Sequence, residues 1–436
     1  MRFIIEGGDR LSGVYSPQGS KNEALQIIAA ALLTEQPVEI RNLPDILDVH
    51  RQLELVELLG AQVERLGRHA VRIRAATLEP NALLSVEGRA LFRSIRGSIL
   101  LIGPLLARCG EAYFPRPGGD KIGRRRIDTH LLGFAALGAT FSYDPHREVY
   151  HIAAPRRLQG AGILLEEASV TGTANLLMAA ALAQGETTLY HAACEPYIQQ
   201  LGLLLRQMGA EIEGIGTNRL HIVGQPALNG ASHTLLSDVI EIGSLIALSA
   251  MTQSPLRIQR VPLAHLTPIV RPFERLGIPA HVEGDTLLIH PPPIYEPNTV
   301  EDGGILILSD HTWPGTPPDL LSVLLVVAIQ AAGNVLIHQK MFESRLFFVD
   351  RLIEMGAQIV LCDPHRALVM GMGRRASLRG IRMSSPDIRA GMALLIAALS
   401  AEGRSIIEQA DQIERGYERL DERLRQLGAQ IWREED

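Results

Sequence analysis

The chain has 436 residues, a formal net charge of −6, and 46% hydrophobic, 21% charged and 4% aromatic residues, which allows roughly two to four domains with cores built mainly of Leu, Ile, Val and Ala. The slightly acidic balance gives no overall footprint for nucleic acid. The three separated cysteines, Cys109, Cys194 and Cys362, form neither a zinc-ligand spacing nor a disulfide framework.

From the N-terminus, MRFIIEGGDRLSG carries charge and glycine within its first ten residues and no long apolar run, so a signal peptide is not expected and a cytoplasmic protein is. GSKNEALQIIAAALL comes next, opening on Lys21 and Asn22, followed by the strand-like PVEIRNL and then LELVELLGAQVE, a helix pattern that ends at Gly60. The same parts recur. RSIRGSILLIGPLLA precedes LLGFAALGATFS at Gly138, SVTGTANLLMAAALA precedes LGLLLRQMGAEIE at Gly209, and SDVIEIGSLIALSAM precedes IVRPFERLGIPAHVE at Gly277. TPPDLLSVLLVVAIQAA leads to VDRLIEMGAQIV at Gly356, and SPDIRAGMALLIAALSA to LDERLRQLGAQIW at Gly428.

The glycines are 68 to 79 residues apart, the mark of an internal repeat. Each stands where a helix C-cap needs left-handed backbone, and a short alternating strand follows. The first helix of each copy is apolar on all sides, which predicts burial, and it is too short to span a bilayer. No membrane is expected. Strands alternating with one buried and one surface helix make an α/β (α+β) repeat. Six copies exceed one core, so two domains of three units are expected. A linear solenoid is the alternative, although its helices are normally amphipathic.

Between the second buried helix and its surface helix lies PRPGGDKIGRRRIDTH, where Lys121, Arg124, Arg125 and Arg126 stand beside Gly118, Gly119 and Asp120. Such a run is either a solvated face or a loop that closes over an anion. The starts of the buried helices carry Lys21 and Asn22, Arg96, Ser169, Asp238, Asp319, and Asp387 with Arg389. N-capping accounts for Ser169 and Asp238 and can account for Asp319 and Asp387. It does not account for Lys21, Arg96 or Arg389, because a cation there opposes the helix dipole and points to an anionic ligand. The loops before the surface helices add Arg125, Glu195, Arg345 and Arg415. Facing domains would make these a cleft for phosphoryl or carboxylate substrates, with carboxylates left for acid–base work. There is no P-loop, no GxGxxG after a strand, no GxSxG elbow and no HExxH.

GSKNEAL, IRGS, the GG-x-x-IG-x-R-x-ID-x-H loop, SVTGT, PPDLL, MFESR, DIRAG and ERGYERL, in that order, resemble the enolpyruvyl transferase family, and within it the UDP-N-acetylglucosamine branch. The resemblance covers essentially the whole chain. It implies two inside-out α/β barrel domains, each of three pseudo-symmetric repeats around buried helices. One would span residues 21–236 with a catalytic lid loop at 115–128, the other 1–20 plus 237–436, with the active site in the cleft between them.

The resemblance further implies transfer of the enolpyruvyl group of phosphoenolpyruvate to the 3′-hydroxyl of UDP-N-acetylglucosamine, the first committed step of peptidoglycan synthesis, without metal or bound cofactor. Lys21, Asn22, Arg125, Arg389 and Arg415 would hold phosphoenolpyruvate. Asn22, Arg96, Arg125, Arg126, Ile127, Asp128, Thr129, Ser169, Val170, Asp319 and Met341 would contact the sugar nucleotide. Asp319 would take the hydroxyl proton, and Asp120, standing where the family usually has cysteine, would donate one, with Lys21 and Arg415 completing the catalytic set. The chain departs from the pattern at Glu167 (a usual lysine), Arg126 (a usual proline) and Val239 (a usual arginine). Two alternatives follow: an enolpyruvyl transferase for another nucleotide, sugar or shikimate 3-phosphate, and a non-catalytic anion-binding paralogue. The resemblance leaves the oligomeric state open.

Overall fold

The six helix-ending glycines all adopt left-handed backbone: φ is 98° at Gly60, 92° at Gly138, 104° at Gly209, 88° at Gly277, 104° at Gly356 and 100° at Gly428. They follow the surface helices Leu47–Leu58, Asp128–Ala136, Pro196–Gln207, Thr267–Arg275, Val349–Glu354 and Leu420–Arg425, and each is followed by a strand. The structure is a computed structural model that describes residues 1–120, 122–123, 125–299 and 303–435. Lys121 and Arg124 of the basic loop lie outside the described residues.

The buried helices are Lys21–Ala30, Ile102–Cys109, Val170–Ala180, Val239–Thr252, Leu321–Ile329 and Ile388–Ser400. Every residue of Val239–Thr252 and of Leu321–Ile329 is buried. In such a helix the hydroxyls turn back on their own backbone: Ser244 donates to the Ile240 carbonyl and Thr252 to that of Leu248. Two of the six starts are tightened into 3₁₀ turns, Gly97–Leu101 and Pro318–Leu320. No single helix among the described residues is long and apolar enough to cross a membrane.

The described strands form six sheets, five of four strands and one of three. One copy shows the plan. Strands Gly162–Leu164 and Glu186–Tyr190 run parallel on either side of helix Val170–Ala180 in sequence, and Arg219–Val223 and Glu211–Glu213 extend the sheet antiparallel. In the last copy the N-terminal strand Arg2–Gly7 is inserted between Gly403–Glu408 and Gln430–Glu434. The three-stranded sheet, Glu111–Pro115, Val149–Ala153 and Thr140–Asp144, has no parallel strand. The 3₁₀ turn Pro80–Leu84 and helix Val86–Ser94 precede the buried helix there instead.

Contacts divide the chain into two units, one of Gly19–Asp120 and Arg125–Leu236, the other of Met1–Gln18, Lys121–Arg124 and Ser237–Asp436. Each has its own hydrophobic core and three of the sheets. The first change of unit falls at Gln18/Gly19, two residues ahead of the start expected at residue 21. Strand Gly13–Tyr15 precedes helix Lys21–Ala30 yet pairs with Leu256–Ile258, and strand Ala231–Thr234 precedes helix Val239–Thr252 yet pairs with Val38–Arg41. Buried carboxylates hold both exchanged segments. Glu23 bonds His233 Nε2 at 2.8 Å and accepts the Leu236 N–H at 3.2 Å. Glu241 accepts the Tyr15 hydroxyl at 2.8 Å, the Gln18 N–H at 2.7 Å and Arg423 Nη1 at 2.7 Å.

The helix-ending glycines offer a controlled test. A Cβ at Gly138 would meet nothing within 4 Å, whereas one at Gly277 would lie 2.6 Å from the Glu296 carbonyl oxygen. Gly138→Ala should cost only the left-handed penalty of about 1–2 kcal/mol. Gly277→Ala adds a backbone clash and should lower the thermal midpoint at least twice as far; equal shifts would contradict this account.

Candidate active site

In the unit that ends the chain, Pro317 and Pro318 set up the 3₁₀ turn Pro318–Leu320 and leave Asp319 inside it. Asp319 is therefore not an N-cap: no side-chain cap bond is made at this turn or at the helix after it. Its carboxylate lies between two guanidiniums. Oδ1 accepts from Arg345 Nη2 at 2.7 Å, and Oδ2 from Arg389 Nε at 3.1 Å and Nη2 at 3.0 Å. Arg389 is the second residue of helix Ile388–Ser400, whose start Asp387 caps by accepting the Arg389 and Ala390 N–H groups.

Burial by itself would raise the Asp319 pKa, but Arg389 and then Arg345 override it and hold the carboxyl well below the ordinary range. Burial likewise opposes charge on Arg389, and Asp319 more than restores it. In the same unit the half-exposed Met341 is placed through its backbone, its N–H donating at 3.1 Å to the buried Asp310 carboxylate. Arg415 Nη1 donates to Gln412 Oε1 at 3.1 Å.

In the other unit Ser20 caps helix Lys21–Ala30, and Lys21, its first residue, is buried with Nζ 2.7 Å from Asp48 Oδ2. Asn22 is partly buried beside it. Arg96 donates from Nη2 to the carbonyls of Arg125 at 3.0 Å and Arg126 at 3.3 Å, which pins the end of the basic loop. Burial first and the Arg125 charge second push its pKa down to about 10, with Glu167 acting against them, so it stays a cation.

The double glycine of that loop is explained by close packing. A Cβ at Gly118 would lie 1.7 Å from the Arg93 carbonyl oxygen, and one at Gly119, where φ is 102°, would lie 2.7 Å from Arg96 Cβ. Arg126 is exposed and ion-paired with Asp128. Ile127 and Thr129 are buried at the start of helix Asp128–Ala136. Ser169 caps helix Val170–Ala180 through the Gly172 N–H at 3.2 Å, with Val170 its first residue.

That helix start is tied to its neighbours by a buried network. The Asn175 side chain accepts the Gly103 N–H at 2.8 Å and donates to the Ile99 carbonyl at 2.8 Å. It also lies 2.9 Å from His130 Nδ1, and His130 Nε2 is 3.1 Å from the Thr171 hydroxyl. Burial, with Arg96 adding to it, pushes the His130 pKa down to about 3, so the ring is neutral. Burial also pushes Glu195 up to about 7, against backbone hydrogen bonds, and its Oε2 has no hydrogen-bond partner.

The three cations that oppose their helix dipoles are thus partnered: Lys21 by Asp48, Arg96 by two carbonyls, Arg389 by Asp319. The structure brings Asp319 together with Arg389, and Arg96 together with Arg125 and Arg126. The remaining site residues named from the sequence are divided between the units, with Lys21, Asn22, Arg96, Asp120, Arg125–Thr129, Ser169 and Val170 in one and Asp319, Met341, Arg389 and Arg415 in the other. Asn175, a single polar residue in an apolar helix, and Asp48, one charge in a polar surface helix, gave no sequence signal, and His130 was legible only as the last residue of the loop motif. Arg345 was legible only as one more loop cation.

The EPSP synthase (3-phosphoshikimate 1-carboxyvinyltransferase) family model matches residues 5–424. The UDP-N-acetylglucosamine 1-carboxyvinyltransferase of Porphyromonas gingivalis is 55% identical over 431 residues, covering 99% of each chain. That of Bradyrhizobium diazoefficiens is 51% identical over 441 residues, covering 99% of this chain and 98% of its own. Among solved structures, the enolpyruvyl transferase NikO from Streptomyces tendae superposes with a TM-score of 0.86 at 24% identity, covering 99% of this chain and 98% of its own. EPSP synthase from Acinetobacter baumannii gives 0.73 at 18% identity, covering 99% of each. Both structural likenesses speak to the fold.

The His130 network makes a pH prediction. The ring binds its proton in the unfolded chain near pH 6.5 but in the folded one only near pH about 3, so its contribution is whole above the upper value and is lost as pH falls toward the lower. The acid-side slope of stability should be shallower in His130→Gln by up to about 1.4 kcal/mol per pH unit between those limits. Denaturant titrations at several pH values that give parallel slopes would refute it.

Proposed function

This chain belongs to the enolpyruvyl transferase family, and from that premise we propose that it transfers the enolpyruvyl group of phosphoenolpyruvate to the 3′-hydroxyl of UDP-N-acetylglucosamine and releases phosphate. The observation that carries the acceptor is the 51–55% identity, over essentially the full chain, to enzymes named for that reaction. By the same reading it is a cytoplasmic enzyme of peptidoglycan synthesis.

The residue roles we assign are those that the family resemblance implies. Asp319, ionised and held at both oxygens, is a fixed acceptor for the 3′-hydroxyl proton as that oxygen bonds to C2 of phosphoenolpyruvate. Asp120 delivers a proton to the methylene carbon, giving a tetrahedral ketal. Breaking the bond to the phosphate oxygen and removing a methyl proton restores the double bond. Lys21, Arg125, Arg389 and Arg415 are the cations we assign to the phosphate and carboxylate, with Asn22 beside them. Arg96, Arg126, Ile127, Asp128, Thr129, Ser169, Val170 and Met341 are assigned to the sugar nucleotide. The low Asp319 pKa makes it a weak base, so an anionic substrate that shares the charge of the anchored Arg389 would strengthen it at the moment of reaction.

Phosphate release from phosphoenolpyruvate with UDP-N-acetylglucosamine tests the assignment; release only with shikimate 3-phosphate or another nucleotide sugar overturns the acceptor. Asp319→Asn should lose about 10²–10⁴-fold in kcat with little change in sugar-nucleotide binding. Near-normal turnover would remove Asp319 from the mechanism. Asp120→Asn should lose the chemical step. A carboxylate is a far poorer nucleophile than a thiolate, so the parent should resist time-dependent inactivation by the epoxide fosfomycin, and Asp120→Cys should gain it. An adduct mass on Asp120 in the parent enzyme would count against this role.

A further inference from the structure

One buried group beside Asp319 has no part in the chemistry above. Tyr417 is 1% exposed, and its hydroxyl lies 3.1 Å from Arg389 Nη1 and 3.0 Å from Ser244 Oγ. A guanidinium only donates, so the phenol oxygen accepts from Arg389. The Ser244 hydroxyl lies within hydrogen-bond distance of both the Tyr417 hydroxyl and the Ile240 carbonyl, 3.0 Å from each. The contacts therefore run from Arg389 through Tyr417 and Ser244 to the backbone of the wholly buried helix Val239–Thr252. The opposite edge of the guanidinium, Nε and Nη2, grips Asp319 Oδ2.

We propose that Tyr417 is a positioning residue for enolpyruvyl transfer, its hydroxyl anchoring Arg389 to the core so that Asp319 stands in one place with one basicity. The proposal rests on Asp319 being the base. The charged groups facing Asp319 are Arg389 and Arg345; the titratable groups facing Arg389 are Asp319, Asp238 and the Tyr417 phenol. Removing the hydroxyl leaves Nη1 buried without its acceptor, and a guanidinium turning to find another loosens its hold on Oδ2 while Arg345 keeps Oδ1. A carboxylate with a weaker cationic partner has a higher pKa. The base must be deprotonated, so the acid limb of the kcat profile moves to higher pH.

The experiment compares kcat and sugar-nucleotide KM across pH for the parent, Tyr417→Phe and Ser244→Ala. Tyr417→Phe should lower kcat on the order of 10- to 100-fold with KM little changed, and should move the acid limb upward. Ser244→Ala should shift it the same way by less, and it supplies the readout if Tyr417→Phe does not fold. A role confined to filling the core would lower the thermal midpoint and leave the acid limb of both variants on the parent curve, which would overturn the proposal. Asp319→Asn separates the two ideas: turnover surviving in it removes the base reading, whereas loss there with an unmoved Tyr417→Phe profile removes only this inference.

Discussion

A helix buried on every side can present polar chemistry only at its ends, and that constraint organises the molecule. The interior turns of Val239–Thr252, Leu321–Ile329 and Ile388–Ser400 face only core, so their side chains are apolar or are serines and threonines that bond nearby backbone carbonyls, as Ser244, Ser249 and Thr252 do. Their first turns are the exception. N–H groups lack intrahelical partners there, the dipole is positive, and the chain has just emerged from a loop. Within the buried helices, charged side chains collect at these starts because no interior turn tolerates them.

Placing cations at such starts has an energetic consequence visible in the pairs. Lys21 and Arg389 are buried beside positive helix ends, which would be strongly unfavourable for isolated charges. Asp48 and Asp319 neutralise them, and carbonyl oxygens serve Arg96. In the roles proposed for these cations, an anionic substrate would compete with Asp48 or Asp319 for the same donors, and a carboxylate that lost its cation would become more basic.

Much of this was legible and some could not have been. The glycines at 60, 138, 209, 277, 356 and 428 declared both the repeat and the left-handed turns, because only glycine takes that backbone at little cost. Ser169, Asp238 and Asp387 declared caps, and the structure shows all three capping. Asp319 resembled them in sequence but sits one residue into a proline-started 3₁₀ turn, which carries its side chain away from the free amides to Arg345 and Arg389. Strand pattern did not reveal the exchange, since Gly13–Tyr15 reads the same whether it pairs near in sequence or with Leu256–Ile258; only the family resemblance grouped residues 1–20 with 237–436. Asp48 was silent for a related reason, since pairing over distance leaves no periodicity, and Tyr417 stood in the ERGYERL motif with nothing to indicate its partner.

The two strand exchanges show how the repeat assigns its first turn. The third helical residue is Glu23 in one case and Glu241 in the other, and each carboxylate gathers hydrogen-bond donors of the exchanged segment beside a helix start that favours negative charge. At the four buried helices where no exchange occurs, the same position is Pro104, Gly172, Val323 or Ala390. A carboxylate there would be buried without donors to satisfy it. The second helical residue is free for other work, and in Ile388–Ser400 it is Arg389. The first turn is therefore used differently from helix to helix: its third residue ties in the exchanged strand where there is one, and in Ile388–Ser400 its second pairs with Asp319. A change that slid the register by one residue would put Asn22 or Ala24 at the Glu23 position and Ile388 or Ala390 at the Arg389 position, leaving His233 without its carboxylate and Asp319 without one of its two guanidiniums.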